Sequence, residues 1–287
     1  MRKNLLKIIS VAILLLFVTL SCKKDKNVTN VTLDNYNITL EIGETAILKA
    51  IVYPEDAANK AVKWESSSPT VADVINGIIT AKEVGKTTIS VITEDGNFIA
   101  RCEVTVTPEW VEISGVKWAK RNVDMPGTFA TNPEDAGMFY QWNRKVGWSS
   151  TDPIVNSNGG TTWDASIPEG DCWEKVNDPC PKGWRVPTVS ELERLVDADN
   201  QWTMVNDVKG RIFGSDDQTL FLPAAGHRCP LIGGNLHYVD TTGYYWSSSI
   251  VDYNTSAYNL GFGSILINLD MNGSIRRAGF SVRCVAE

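Results

Sequence analysis

Six cysteines, two histidines and a group of loop tryptophans are the residues of this 287-residue chain best equipped for chemistry. A zinc site needs several closely spaced cysteine and histidine ligands. His227 and Cys229 lie two positions apart, but no second pair faces them and His237 stands alone, so both histidines read as ordinary loop residues and no metal is expected. Nucleophilic catalysis needs a base held by a third group. No such set is visible, so no catalytic residue is assigned, no cofactor is expected, and the chain does not read as an enzyme. Tryptophans remain. Trp148, Trp163, Trp173 and Trp202 sit in polar stretches, where an indole can stack on a sugar ring or anchor a protein partner. Packing beneath long loops is the favoured reading, and the four stand as the candidates if there is a binding surface.

The element that must position such residues is marked most clearly at 178–195, DPCPKGWRVPTVSELERL. Thr188 can cap a helix, and Glu191 can reach back to the cap from three residues on, the pattern of a capping box. Val189, Leu192, Leu195 and Val196 then share one helical face. Pro181 and Pro187 stiffen the approach, and Pro187 holds Arg185 and Val186 extended until the cap. The stretch predicts a rigid lead-in that docks one amphipathic helix onto a core.

Hydrophobic residues at 43% and charged residues at 21% are ordinary for a folded globular chain. Only Trp64 of the ten tryptophans precedes residue 109, which predicts two domains of different character. The formal charge is −7, and −10 once Arg2, Lys3 and Lys7 are removed with a leader. An acidic body without a basic stripe excludes non-specific nucleic-acid binding.

Residues 1–21 have the three parts of an export signal: a positive end, an apolar run from Ile8 to Leu20, and Ser21 before a cut. The run is about 13 residues, short of the roughly 20 that a spanning helix needs. Leu20-Ser21-Cys22 resembles a bacterial lipobox. That resemblance implies a lipid on Cys22, a tether over 22–27, and anchoring to the outer membrane as in lipoproteins of the Bacteroidetes. Lys23-Lys24-Asp25-Lys26 is not the acidic run of the surface-displayed members, so the cell surface and the periplasmic face both stay open.

Residues 28–107 show short strand-like runs, among them 46–52, 62–64, 71–75, 87–92 and 98–106, separated by turn signals at Gly43, Gly77, Gly85 and Asp95-Gly96. Such spacing without helical periodicity predicts an all-β sandwich. Leu40-x-x-Gly43-Glu44, Pro54, Val62-x-Trp64-x-Ser66-Ser67, Val71-Ala72-x-Val74 and Gly85-x-Thr87-x-Ile89 resemble the bacterial Ig-like group 2 domain. The resemblance implies an Ig-like sandwich with a spacer or adhesive role. Trp64 is expected to be its large core aromatic, and Cys102 a buried free thiol.

Residues 109–287 read as one or two helices followed by an antiparallel run, with strands at 219–223 and 243–249 and alternation through Ile265, Ile267, Leu269 and Met271 and through Phe280, Val282 and Cys284. This pattern predicts an α+β domain. The motifs that carry a resemblance are Val116-Lys117-Trp118-Ala119-x-x-Asn122-Val123, Asp178-Pro179-Cys180-Pro181-x-Gly183-Trp184-Arg185-Val186-Pro187-Thr188, Leu222-Pro223-Ala224-Ala225-Gly226, Gly243-Tyr244-Tyr245-Trp246-Ser247-Ser248 and Phe280-Ser281-Val282-Arg283-Cys284-Val285. In this order they resemble the Fibrobacter succinogenes major paralogous domain and, more distantly, formylglycine-generating enzymes. The resemblance implies a C-type-lectin-like fold, with Trp118, Trp184 and Trp246 in its core.

An exported chain keeps disulfides. In the implied fold the expected bond is Cys180 with Cys284, tying the helix approach to the last strand. Cys172 with Cys229 is then the remaining pair, against the alternative of two free thiols. The copper-binding cysteine pair of formylglycine-generating relatives is not matched, since only Cys284 follows Cys229. Calcium-dependent lectin chemistry is not expected either. The strand resembling a lectin's Trp-Asn-Asp reads Tyr245-Trp246-Ser247-Ser248, without the hard oxygens calcium prefers, and Asp216, Asp217 and Asp252 read as solvated loop acids. The expectation is a lipid-anchored envelope protein with a non-enzymatic binding or adhesion role toward a glycan or surface protein. A degenerate enzyme or a fimbria-associated structural subunit is the alternative.

Overall fold

Alternating apolar and polar residues form strands along most of the chain. A computed structural model describes residues 26–251, 255–270 and 273–287. The leader 1–21, Cys22 with its expected lipid, Asp252 and Met271 lie outside the described residues. The rest divides into two units, one ending at Thr107 and the other beginning at Pro108.

In the first unit Gly85–Thr93 and Ile99–Thr107 form a long central hairpin whose alternate residues are buried, as period-2 side chains on a half-covered sheet require. Asn37–Glu41 lies parallel to the second arm and Val62–Ser66 antiparallel to the first. Thr45–Ile47, Ile78–Ala81 and Ala72–Ile75 form another sheet, and Asn30–Leu33 pairs with Ala50–Tyr53. Their inward faces meet in one core that includes Leu48, Ile79, Ile89, Val91, Cys102 and Val104. Cys102 is a buried free thiol, and Trp64 is half-buried against this core. The run 46–52 is not one strand. Leu48 turns inward and its N–H bonds to the Gly77 carbonyl at 2.8 Å, while the Lys49 N–H goes to Asp34. The chain thereby leaves one sheet for another.

The second unit is mostly β, and Val189–Val196 is its one α-helix among the described residues. The Thr188 side chain accepts from the Glu191 N–H, and the Glu191 carboxylate accepts from the Thr188 N–H at 2.8 Å. Leu192 and Leu195 are buried. Arg185 grips the Glu191 carboxylate through both terminal nitrogens, at 2.8 and 2.6 Å, a bidentate geometry that stiffens the approach. Asp178 accepts from the Cys180 and Val186 N–H groups, and burial pushes its carboxyl above the ordinary range.

Val116–Ala119 and Trp184–Arg185 both pair with Val285–Ala286, so early, middle and final segments share a sheet. A three-stranded meander runs through Asn200–Val205, Val208–Ser215 and Gln218–Pro223. A further sheet holds Gly243–Ile250, Ser256–Phe262 and Ile267–Leu269. The strand expected from Ile265 is shorter than its alternation suggested, because Ile265 and Leu266 are exposed at a turn closed by the Gly263 N–H on the Leu266 carbonyl. Residues 280–284 are buried at every position and pair through isolated bridges, Phe280 with Tyr140 and Ser281 with Tyr245.

Candidate ligand-binding loops

Three residues of the motifs that carry the resemblance converge inside the second unit. Arg283, fully buried, donates from Nε to Asn122 Oδ1 at 2.9 Å and from its terminal nitrogens to the Ala119 and Phe221 carbonyls, both at 3.1 Å. Asn122 donates to the Tyr245 hydroxyl, which donates to the Pro223 carbonyl at 2.9 Å. Burial pushes Arg283 down to about 10 and Tyr245 up to about 12. Every member is satisfied by its neighbours, which makes this a rigid polar core. It opens no site.

Cys180 and Cys284 are bonded across a separation of 104 residues. Cys172 and Cys229 are not. Each carries a free thiol, Cys172 exposed in the loop before Trp173 and Cys229 half-buried opposite Asn235 on a short ribbon. Of the two readings left open for this pair, the structure has the free thiols.

Three of the four candidate tryptophans lie beneath the surface, in the packing that the sequence favoured. Trp148, Trp163 and Trp173 are 2%, 8% and 7% exposed. Trp148 and Trp163 rings lie 4.7 Å apart, and Trp142 and Trp173 rings 5.9 Å apart. Trp202 is half-buried on Asn200–Val205, against the core around Phe213 and Leu222, so it is not in a polar loop. Trp148, Trp163 and Trp173 offer no free indole face as a sugar platform. Large aromatics gain most from full burial, and the long loops supply the cover.

Arg228 was missed by sequence reading. It is fully buried and makes five hydrogen bonds: Nε to the Ser149 carbonyl at 2.7 Å, one terminal nitrogen to Asp152 and the Gly234 carbonyl, the other to Ser149 Oγ and the Thr151 carbonyl. It thus joins loop 149–152 to the turn after Cys229. Trp163 lies against Gly234 and Gly279, where an added Cβ would stand 2.5 and 2.8 Å from the ring, so both positions require glycine for this approach. The loop layer is a fixed surface.

That surface carries a cleft of about 360 Å³ with Trp148 in its wall and Gln141, Arg144, Lys145, Asn158 and Asp164 among its lining. Arg144 is paired with Asp164, bonds to Ser166 Oγ at 2.6 Å, and is lowered by burial. A second cleft of about 530 Å³ continues beyond Arg144 to Glu169 and Glu174. Amides, a guanidinium–carboxylate pair and a lysine can hold hydroxyls and charges. Among the described residues no group of three or more His, Cys, Asp or Glu side chains is placed to hold a metal ion.

The histidines, read as unrelated, are cross-strand partners on the ribbon of His227–Cys229 and Asn235–His237. Their rings stack at 6.0 Å, and Tyr244 meets His227 edge-on at 4.9 Å. Burial, with the nearby His237, pushes His227 down to about 4, and its Nδ1 is buried without a partner. His227 is therefore neutral when folded but takes a proton near pH 6.5 when unfolded. The unfolded chain binds the extra proton between pH 4 and 6.5, so the stability this site contributes is complete above that window and is lost as pH falls through it. Urea midpoints at neutral and acid pH should fall less for His227→Phe than for the natural chain; an equal fall would place the acid sensitivity elsewhere.

Residues 27–104 match the family model of the bacterial Ig-like domain (group 2). The chain is similar to the Ig-like virion protein of Serratia phage KSP90, 39% identical over 138 residues, which are 47% of this chain and 54% of that protein. It is similar to an uncharacterized protein of Clostridium acetobutylicum, 42% identical over 81 residues, covering 28% of this chain and 8% of the relative. An alpha-L-arabinofuranosidase of Bifidobacterium longum subsp. longum is 40% identical over 75 residues, 26% of this chain and 7% of the enzyme. The chain thus spans from under a tenth to about half the length of these relatives. No described helix is long and apolar enough to cross a membrane.

Proposed function

We propose, from the Ig-like match of residues 27–104, that this is an exported envelope protein whose Ig-like unit is a spacer and whose second unit is a non-enzymatic binding head. The leader and Cys22 support anchoring in the outer membrane by a lipid. The resemblance of the second unit to the Fibrobacter succinogenes major paralogous domain, with a C-type-lectin-like fold, is supported by two features. Its early and final strands share a sheet, and the motif residues Asn122, Tyr245 and Arg283 meet in one buried network. Fold likeness carries no function by itself, so the binding role rests on the loops.

The observation that carries it is the Arg228 clip, which holds loop 149–152, the segment next in chain to the cleft residue Trp148, against the Gly234 turn. A preformed polar cleft on a rigid support is suited to recognition. A glycan is the first reading. A surface protein is the second, favoured by exposed Ile265 and Leu266 beside Tyr244 in a cleft of about 580 Å³. On arrays of glycans and matrix proteins the full chain should show saturable retention by at least one class; silence across both arrays would remove the binding role.

A further inference from the structure

We infer that the Trp148 cleft selects a glycan bearing a carboxylate, and that Lys145 recognises the charge. This rests on the binding reading above and names its ligand class. The argument is which polar groups of the cleft are already committed. Gln141 donates to the carbonyls of Asp164 at 2.7 Å and Arg277 at 3.0 Å and accepts from Arg144. Asn156 Oδ1 accepts the N–H groups of Asn158 and Gly160. Asp164, the cleft's only lining carboxylate, is held by Arg144 and by Ser166.

What remains uncommitted is donor-rich. Lys145 is exposed, and the Lys145 ammonium, the Asn158 amide and the Thr162 hydroxyl have no side-chain partner among the described residues. The one unpaired charge in the cleft is therefore positive, on a chain whose formal charge is −7. Amide and hydroxyl groups match sugar hydroxyls, and an ammonium forms a charge-assisted bond to a carboxylate. The adjoining cleft, which shares Arg144 and Asn177 with this one, is lined by Glu169 and Glu174, so an anionic group is matched better by Lys145 than by that neighbour.

The test presents the full chain with oligosaccharides of galacturonate, glucuronate and sialate, each as the free acid and as its methyl ester. The ester keeps the hydroxyls and removes the charge. At least one free acid should bind, about tenfold to hundredfold more tightly than its ester, with affinity falling as salt rises. Lys145→Ala should lose that factor for the acid and leave the ester unchanged, and Lys145→Arg should retain most of it. Because Lys145 is exposed and unpaired, neither variant should disturb folding. Equal binding of acid and ester, or an unchanged Lys145→Ala, overturns the inference and leaves the binding role standing. So does retention by matrix proteins alone. Silence of every glycan and every matrix protein overturns both.

Discussion

Loss of the Cys180–Cys284 bond is expected to lower the stability of the second unit by about 4–5 kcal/mol in the chain-entropy treatment of a loop this long. The closed loop spans 104 residues and contains the helix, the meander and the strands Gly243–Ile250 and Ser256–Phe262, so its removal frees a large part of the unfolded chain. Cys284 is fully buried and Cys180 half-buried in a cluster with Trp173, Val186 and Val282. Alanine at both positions leaves that cluster otherwise intact. Urea unfolding followed by tryptophan emission suits the measurement, because nine of the ten tryptophans lie beyond residue 109 and report this unit. A loss below about 1 kcal/mol, the size of an average substitution, would show that the bond constrains little.

Arg228→Lys is expected to destabilise the same unit by about 2–3 kcal/mol, the cost of leaving hydrogen-bond acceptors around a buried side chain without their partner. A guanidinium serves five acceptors here, three of them backbone carbonyls. Lysine brings a single nitrogen with three donors and no planar fork, so at least two of the five acceptors lose the partner they have here. The consequence is local first. Loop 149–152 separates from the Gly234 turn, water reaches the Trp148–Trp163 pair, and tryptophan emission shifts to the red before global unfolding. Ligand retention by the cleft falls with it, although Arg228 does not line the cleft. Unchanged stability and emission in Arg228→Lys would mean that the loops hold themselves.

Much of the first unit was legible because its signals are local. Alternating residues in 87–92 and 98–106 state both the strand and its buried face, and Gly85 and Asp95-Gly96 state where the chain turns. The misread run 46–52 shows the limit: its composition is uniformly strand-like, and the break at Leu48 depends on Gly77, 29 positions away. In the second unit Thr188 and Glu191 were readable as a cap because a capping box is complete within four residues. The tryptophans were not. A Trp in a polar stretch looks the same whether its neighbours expose it or fold over it, and Trp163 is covered partly by Gly234 and Gly279, far along the chain.

The sequence by itself determined the strand periods, the turns, the helix start and the change of character near residue 108, all properties of neighbours within a few bonds. Tertiary structure decided which side chains are available. It buried Trp148, Trp163 and Trp173, paired His227 with His237, left Cys172 and Cys229 as thiols, and set Arg228 against groups 76 to 79 positions away. The reason is that burial and hydrogen-bond commitment are properties of the whole packed unit.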